Sequence, residues 1–116
     1  MELSKTHLRY LYAIYEESLT DPEVSSAAIA RKLKVSKPSV VKMVDVLSEK
    51  ELITKKHYGK ITLTEQGSQI AQKFNEEIKL LVELIPKMGL KLNQADLYAS
   101  AYLLASTLPA QTLSGI

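Results

Sequence analysis

The chain has 116 residues, enough for one domain or for one domain with an extension for oligomerisation, and its 46% hydrophobic content can fill a core. It contains no cysteine, which excludes disulfides and thiolate metal sites, and no apolar run approaches the roughly 18 residues that a membrane span needs. The net charge is only +2, and the amino terminus lacks the apolar core of a signal peptide, so we expect a soluble cytoplasmic protein.

The first predicted element is an amphipathic helix over about Leu3–Leu19. Ser4 can cap its amino end, and Pro22 stops it because proline cannot continue the hydrogen-bond ladder. Its apolar stripe is formed by Leu8, Leu11, Tyr15 and Leu19, broadened by Tyr10 and Ile14. We expect the tyrosines of this helix to fill the core and interfaces rather than to stack on bases.

A helix-turn-helix is the next predicted element. Ala27–Leu33 is short and apolar on one face, a break follows at Lys34–Ser36, and Lys37–Lys50 returns to helical spacing. The apolar positions of the second helix are Val40, Val41, Val44 and Leu47. Ser36 is its expected N-cap, and Pro38 lies in the first turn, where a missing N–H costs nothing. The break contains a lysine where many such turns carry glycine.

The segment after these helices predicts a β-hairpin wing. Apolar and polar residues alternate over Leu52–His57 and Lys60–Leu63, on either side of Tyr58 and Gly59. Residues 31–60 contain nine Lys or Arg and three Asp or Glu, so positive charge is concentrated on the helix-turn-helix and the wing. Such a concentration is typical of a surface that meets phosphates.

A DNA interface follows from this arrangement. The first turns of the second helix in such motifs reach base edges in the major groove, and a basic hairpin tip suits backbone or minor-groove contact. Val41 is expected to face out and meet a thymine methyl, whereas Ser39 has an equal alternative role as a helix-start hydrogen bonder. His57 is expected to be an exposed wing residue rather than a metal ligand. The predicted DNA-binding residues are Ser36, Lys37, Pro38, Ser39, Val41, Lys42, Lys55, Lys56, His57 and Lys60.

Two further apolar helices complete the chain. Thr64 caps a helix that ends near Pro86, and a last helix covers about Gln94–Leu108. Their apolar stripes exceed what a small winged domain needs to cover, which favours dimerisation over a purely intramolecular core, and a twofold dimer matches a palindromic operator. The predicted dimerisation residues are Leu8, Phe74, Ile78, Leu81, Val82, Ile85, Tyr98, Tyr102 and Leu104.

The expected fold class is therefore mainly α. It consists of a winged helix-turn-helix, with three helices and a two-stranded β-wing, followed by two carboxyl-terminal dimerisation helices. We expect the DNA-binding domain at residues 1–66, the helical dimerisation region at 67–110 and a flexible tail at 111–116.

Three segments resemble the DtxR-type iron- and manganese-dependent repressors: Tyr10–Glu17, Ile29–Leu47 and Tyr58–Ala71. The most specific feature is a Tyr-x-x-x-Ile-Tyr start joined to the Leu-Thr-x-x-Gly sequence at Leu63–Gly67. The resemblance covers about residues 8–108 and implies a homodimeric repressor whose DNA-binding geometry is set by bound metal.

The chain departs from this family at the metal ligands. The resemblance implies ligands in the first helix and in the helix after the wing, where this sequence has Arg9, Tyr12 and Ile78. The other ligand positions fall at Val82, Ser100, Leu103 and Leu104. Iron and manganese need several converging carboxylate or imidazole ligands, so we expect no metal and no cofactor, with Mn or Fe binding only if the site is retained in altered form.

Arg9 suggests a different arrangement. Its positive charge stands where the resemblance implies a metal ligand. We hypothesise that its guanidinium pairs with Glu76, Glu77 or Glu83 and holds the DNA-binding geometry permanently.

A sequence-specific transcriptional regulator, in particular a repressor, is the leading functional hypothesis. A winged-helix interaction module that does not read DNA usually loses the basic face that this chain keeps. A MarR-like regulator that responds to a small organic ligand shares the same helix-turn-helix and wing. An enzyme is not expected, because the two histidines are far apart and no nucleophile–base–acid set or phosphate-binding glycine loop is visible.

Overall fold

The computed structural model describes residues 3–108. The chain divides into two compact units, Met1–Ala71 and Gln72–Ile116, and the division lies inside the fourth α-helix. The predicted boundary at residue 66 thus lies close to it and remains a prediction, and the predicted tail at 111–116 falls outside the described residues. No helix in the described range has the length and apolarity to cross a membrane.

Helix α1 covers Lys5–Ser18, slightly shorter than predicted at both ends. Ser4 caps it as predicted: its hydroxyl accepts a hydrogen bond from the backbone N–H of His7 at 3.1 Å, and the His7 ring accepts from the Ser4 N–H in return. This reciprocal pair satisfies amide groups that a helix start leaves unbonded.

Helices α2 (Ser26–Leu33) and α3 (Lys37–Glu49) form the predicted helix-turn-helix. Lys34 ends α2 in the left-handed conformation, with φ at 55°, where glycine is usually favoured. The N–H of Val35 closes the turn by donating to the carbonyl of Ala30 at 3.1 Å, and Val35 packs against the core. The chain therefore accepts a strained lysine in the turn because the helix-end hydrogen bonds stabilise that conformation.

The predicted two-stranded wing is present, and a third strand, which the sequence did not predict, extends it to a three-stranded sheet. Strands β2 (Ile53–Lys55) and β3 (Lys60–Leu63) are antiparallel, and a short strand β1 (Val24–Ser25) pairs with the other edge of β3. Two residues of β1 carry too little alternation to be recognised in a sequence. The predicted first wing strand also ends early, because His57–Gly59 forms a 3₁₀ turn at the tip.

The core of the first unit lies between its three helices and this sheet. It is built from side chains that the sequence placed on apolar faces, and they are almost fully buried: Leu11, Ile14, Ile29, Val40, Leu47, Leu52 and Ile61. Tyr10 and Tyr12 are buried too and Tyr15 is half-buried, as expected of rings that fill the core. Burial on this scale stabilises each large side chain by roughly 1.5–3 kcal/mol and so fixes α3 and the wing to one scaffold.

Helix α4 covers Glu65–Lys87 and α5 covers Gln94–Thr107. Thr64 caps α4 as predicted, accepting from the N–H of Gly67 at 3.1 Å, and Asn93 caps α5 by accepting from the N–H of Asp96 at 2.7 Å. In the second unit, the rings of Phe74 and Tyr102 meet edge to face with centroids 5.4 Å apart, so they join α4 to α5.

Candidate nucleic-acid interface

The amino end of α3 is an exposed, pre-arranged polar surface. Ser36 caps the helix by accepting from the backbone N–H of Ser39 at 3.2 Å, and the two hydroxyl oxygens lie 2.8 Å apart. Both proposed roles of Ser39 therefore remain available, because it supports the helix start and is still exposed. Lys37 and Pro38 are exposed beside it, with the proline in the first turn.

The two faces of α3 divide as a recognition helix requires. Val40, Val44 and Leu47 are buried and hold the helix on the core. Val41, by contrast, is 50% exposed, and Lys42 next to it is exposed. An apolar methyl pair beside a cation can meet a thymine methyl and a phosphate at the same time, which is the chemistry of a major-groove surface.

The wing supplies further cations, but one of them has a partner within the chain. The ammonium of Lys55 lies 2.6 Å from the carboxylate of Asp45 on α3, and both side chains are about half exposed. This pair links the wing to the recognition helix and cancels one positive charge. Lys56 and His57 are exposed and Lys60 is half-buried.

The tip of the wing carries a residue that is missing from the predicted set. Tyr58 is 99% exposed and its backbone is left-handed, with φ at 62°. Its neighbour Gly59 is left-handed too, and the carbonyl of Gly59 accepts a hydrogen bond from the Ser26 hydroxyl at 3.0 Å. The sequence signal for this residue was a tyrosine next to glycine at the predicted hairpin turn. A hairpin pattern predicts where the turn lies, but it does not predict whether a ring at the turn is exposed.

Arg9 makes its hydrogen bond at the end of α2. One guanidinium nitrogen donates to the carbonyl of Leu33 at 3.0 Å. That carbonyl belongs to the last residue of α2, so a positive charge here complements the partial negative charge of the helix end. The glutamates hypothesised to pair with Arg9 lie in the second unit, and that pairing stays a prediction.

The residues present do not fit the metal that the family resemblance implies. Within residues 3–108, no three His, Cys, Asp or Glu side chains come together in a way that could hold a cation. Tyr12 and Ile78 are 3% and 1% exposed, and neither carries a carboxylate or an imidazole, while Arg9 is a cation. Such a donor set offers no converging carboxylate or imidazole groups.

The predicted dimerisation residues fall into three groups by exposure. Four of them are buried in the single chain: Phe74, Ile78, Leu81 and Ile85. Tyr98 and Leu104 are 43% and 38% exposed on α5, and Leu103, which was not predicted, is 63% exposed. Leu8, Val82 and Tyr102 are half-buried. The exposed members of the predicted set are therefore on α5, whereas most of the predicted α4 residues are buried.

A family model for the iron dependent repressor, N-terminal DNA binding domain, matches residues 2–61. Among solved structures, the manganese regulator SloR is 29% identical, with a TM-score of 0.73, and the match covers 99% of this chain and 52% of that one. The T. acidophilum IdeR is 20% identical, with a TM-score of 0.77, covering 99% and 53%.

The hypothetical protein SSo2273 from Sulfolobus solfataricus is 21% identical, with a TM-score of 0.74, covering 97% of this chain and 85% of that one. The chain spans about half the length of SloR and IdeR. The two likenesses near 20% identity show the fold alone, whereas the family match covers the helix-turn-helix and most of the wing. The chain belongs to the iron-dependent repressor family, whose members are transcriptional repressors rather than enzymes, and it carries that family's winged helix-turn-helix DNA-binding domain.

Proposed function

We propose that this protein is a homodimeric transcriptional repressor that binds a palindromic operator without using the family's metal site, acting on DNA in the cytoplasm. The observation that carries the proposal is the exposed amino-terminal face of α3, where Ser36, Lys37, Ser39, Val41 and Lys42 stand clear of the core. Side chains at that end of a recognition helix reach base edges, while the wing cations meet the backbone.

Phosphate contacts supply most of the affinity in this proposal. Lys37 and Lys42 flank the base-reading surface, and Lys56 and Lys60 extend it along the wing. Each lysine that neutralises a phosphate releases about one counterion, so affinity falls steeply as salt rises. Lys55 contributes less than its neighbours, because Asp45 already neutralises it in the free protein.

Two copies are needed for palindrome recognition. Tyr98, Leu103 and Leu104 leave apolar surface exposed on α5, and a twofold contact through this surface would present two copies of α3 to successive major grooves. Half-sites are then expected about one helical turn apart, roughly 34–36 Å.

The proposal of metal independence rests on the chemistry of the donor positions. Arg9 occupies one of them and already bonds the carbonyl of Leu33, which ties α1 to the end of α2. The positive charge that a metal would bring to this region is thus carried by an arginine side chain, which is part of the chain and stays protonated.

Selection of fragments from genomic DNA by the purified protein tests these statements together. The protein is first stripped with a chelator, and selection is then run with and without added Mn²⁺ or Fe²⁺. We expect the same palindromic fragments, with affinities that agree within about twofold, in every arm. Specific binding that collapses after chelation and returns with Mn²⁺ would overturn metal independence while leaving the repressor assignment intact.

A further inference from the structure

The wing tip has two features that are unfavourable for a tyrosine. The side chain of Tyr58 is 99% exposed, so its ring gains nothing from burial. Its backbone lies at φ 62° and ψ 35°, the left-handed region, which costs a residue with a Cβ atom about 1–2 kcal/mol. Strain of this kind persists where the surrounding structure imposes it, and it is concentrated at functional positions.

The other left-handed, non-glycine residues between 3 and 108 have a structural explanation. Lys34 and Glu51 each follow the end of an α-helix. In both cases the next N–H donates back across the helix end, from Val35 to Ala30 at 3.1 Å and from Leu52 to Leu47 at 3.0 Å. These bonds satisfy helix carbonyls and compensate for the strain. At Tyr58 the left-handed conformation comes from the hairpin turn, which the N–H of Lys60 closes by donating to the carbonyl of His57, but the turn does not require a tyrosine, because Asn, Asp or Gly fits this position at lower cost.

Hydrogen bonds hold the tip in this shape. The Ser26 hydroxyl donates to the carbonyl of Gly59 at 3.0 Å, and the N–H of Lys56 donates to the carbonyl of Lys60 at 2.8 Å. The ring is therefore presented on a closed turn that is anchored to the first residue of α2. A group held out in this way loses little conformational freedom when it binds.

The surroundings of the ring indicate what it meets. Lys56 lies two residues before it and Lys60 two residues after it, so cations flank it on both sides. A phenol between cations is complementary to a sugar–phosphate edge, where the ring packs on deoxyribose while the lysines face phosphates. Paired bases in a duplex are not free to stack on it, because that contact needs unstacked bases.

We propose that Tyr58 enters the minor groove beside the major groove occupied by α3, and that its ring adds affinity through contact with the sugars rather than through charge. This inference rests on the proposed DNA-binding function. It assigns the wing a contact that depends on shape and so differs from the salt-dependent contacts of its lysines.

Two substitutions separate the ring from the backbone strain. Tyr58→Gly and Tyr58→Asn both tolerate the left-handed conformation, so the tip should keep its shape while the ring is lost. We expect affinity for the selected operator to fall roughly tenfold, the scale of one lost groove contact, while thermal stability stays equal or rises. Tyr58→Phe should retain most of the affinity.

Salt dependence and footprinting distinguish a DNA contact from a purely structural role of Tyr58. Tyr58→Gly should leave the slope of log affinity against log salt unchanged, whereas the matched control Lys56→Ala should reduce it by about one. Hydroxyl-radical cleavage, which reports on exposed deoxyribose, should show protection beside each half-site that disappears with Tyr58→Gly.

The outcomes distinguish this inference from the function on which it rests. If the unaltered protein selects no specific fragments, the proposed function fails. If it does select them and Tyr58→Gly binds with unaltered affinity and footprint, the assignment of Tyr58 is wrong. A fall in stability that accompanies the loss of affinity, or a reduced salt slope, would also overturn it.

Discussion

The two units of this protein differ in how they use their large apolar side chains. Among the described residues, the first unit exposes three of them, and two, Val41 and Tyr58, lie on the proposed DNA surface. The second unit is shorter and exposes six: Met88, Leu90, Leu92, Tyr98, Leu103 and Leu104. Two of the three exposed apolar side chains of the first unit thus lie on the proposed DNA surface, whereas the second unit has a larger apolar surface that favours a protein partner.

Gly67→Ala is expected to have the largest effect, because it disrupts the packing of the first unit and so lowers its folding stability. A Cβ atom at this position would collide with the backbone carbonyl of Leu52, where the chain enters the wing. Backbone cannot swing aside as a flexible side chain can, so we expect a loss of more than about 3 kcal/mol in the free energy of unfolding. Denaturant unfolding of the purified variant measures it.

Gly89→Ala is the matched control for this change. Nothing lies within 4 Å of a Cβ atom built there, but φ is +90°. The cost is therefore conformational only, about 1 kcal/mol. If the two variants lose the same free energy of unfolding, the close contact between Gly67 and Leu52 does not control the stability of the first unit.

Leu103→Glu tests the proposed use of the second unit. This side chain is 63% exposed, so a carboxylate there leaves the fold of the single chain intact but places charge in an apolar contact between two copies. We expect the dimer dissociation constant to rise at least about tenfold, with a parallel loss of operator affinity. Sedimentation over a range of protein concentrations measures it.

Leu19→Glu makes the same chemical change on the first unit, at a side chain that is 70% exposed at the end of α1. It should leave the dimer unchanged. If Leu103→Glu remains dimeric at every concentration while Leu19→Glu dissociates, the dimer contact lies on the first unit and not on the second.

The parts of the fold that follow from local chemistry were predictable from the sequence. The caps Ser4, Ser36 and Thr64 each make the expected hydrogen bond, because short polar side chains before apolar periodicity have one favourable arrangement. Val41 is exposed as expected, although helical spacing alone placed it with Val40 among the apolar positions of the helix.

Features that depend on tertiary pairing were not predictable. Strand β1 is only Val24–Ser25, and it exists because β3 offers an open edge. The Lys55–Asp45 pair joins residues from two elements, and basic composition alone counted that lysine as free. Tyr58 was missed for a similar reason, since its exposure follows from how the Ser26 hydroxyl holds the turn.

Asp45→Asn tests whether its ion pair with Lys55 reduces the positive charge that the first unit offers to DNA. The pair is exposed, so its loss should change stability by less than about 1 kcal/mol. The released lysine can then meet a phosphate, and we expect operator affinity to rise several-fold and the salt slope to steepen by about one. Fluorescence anisotropy across a salt series measures both quantities.

Glu49→Gln is the control for Asp45→Asn, because it removes an exposed carboxylate from α3 without removing the partner of Lys55. It should raise affinity less and leave the salt slope nearly unchanged. Identical effects from the two variants would mean that the net charge of α3, and not the release of Lys55, controls the wing.

Glu77→Gln is expected to have the smallest effect and probes the second unit. Burial raises the pKa of the Glu77 carboxyl above its usual value of 4.5, and nearby Lys73 opposes the shift. The native state then binds this proton more tightly than the unfolded state, so stability falls as pH rises from 4.5 through the folded pKa, and the penalty is fully present above it.

Glutamine removes this penalty because it is neutral at every pH. The variant should therefore be slightly more stable than the unaltered protein at neutral pH, equal to it in acid, and less dependent on pH between the two. Thermal unfolding from about pH 4 to pH 7 measures the difference, with the exposed neighbour Glu76→Gln as control. A stability gain that is the same at both ends of this range would show that packing, not the buried charge, limits the second unit at this position.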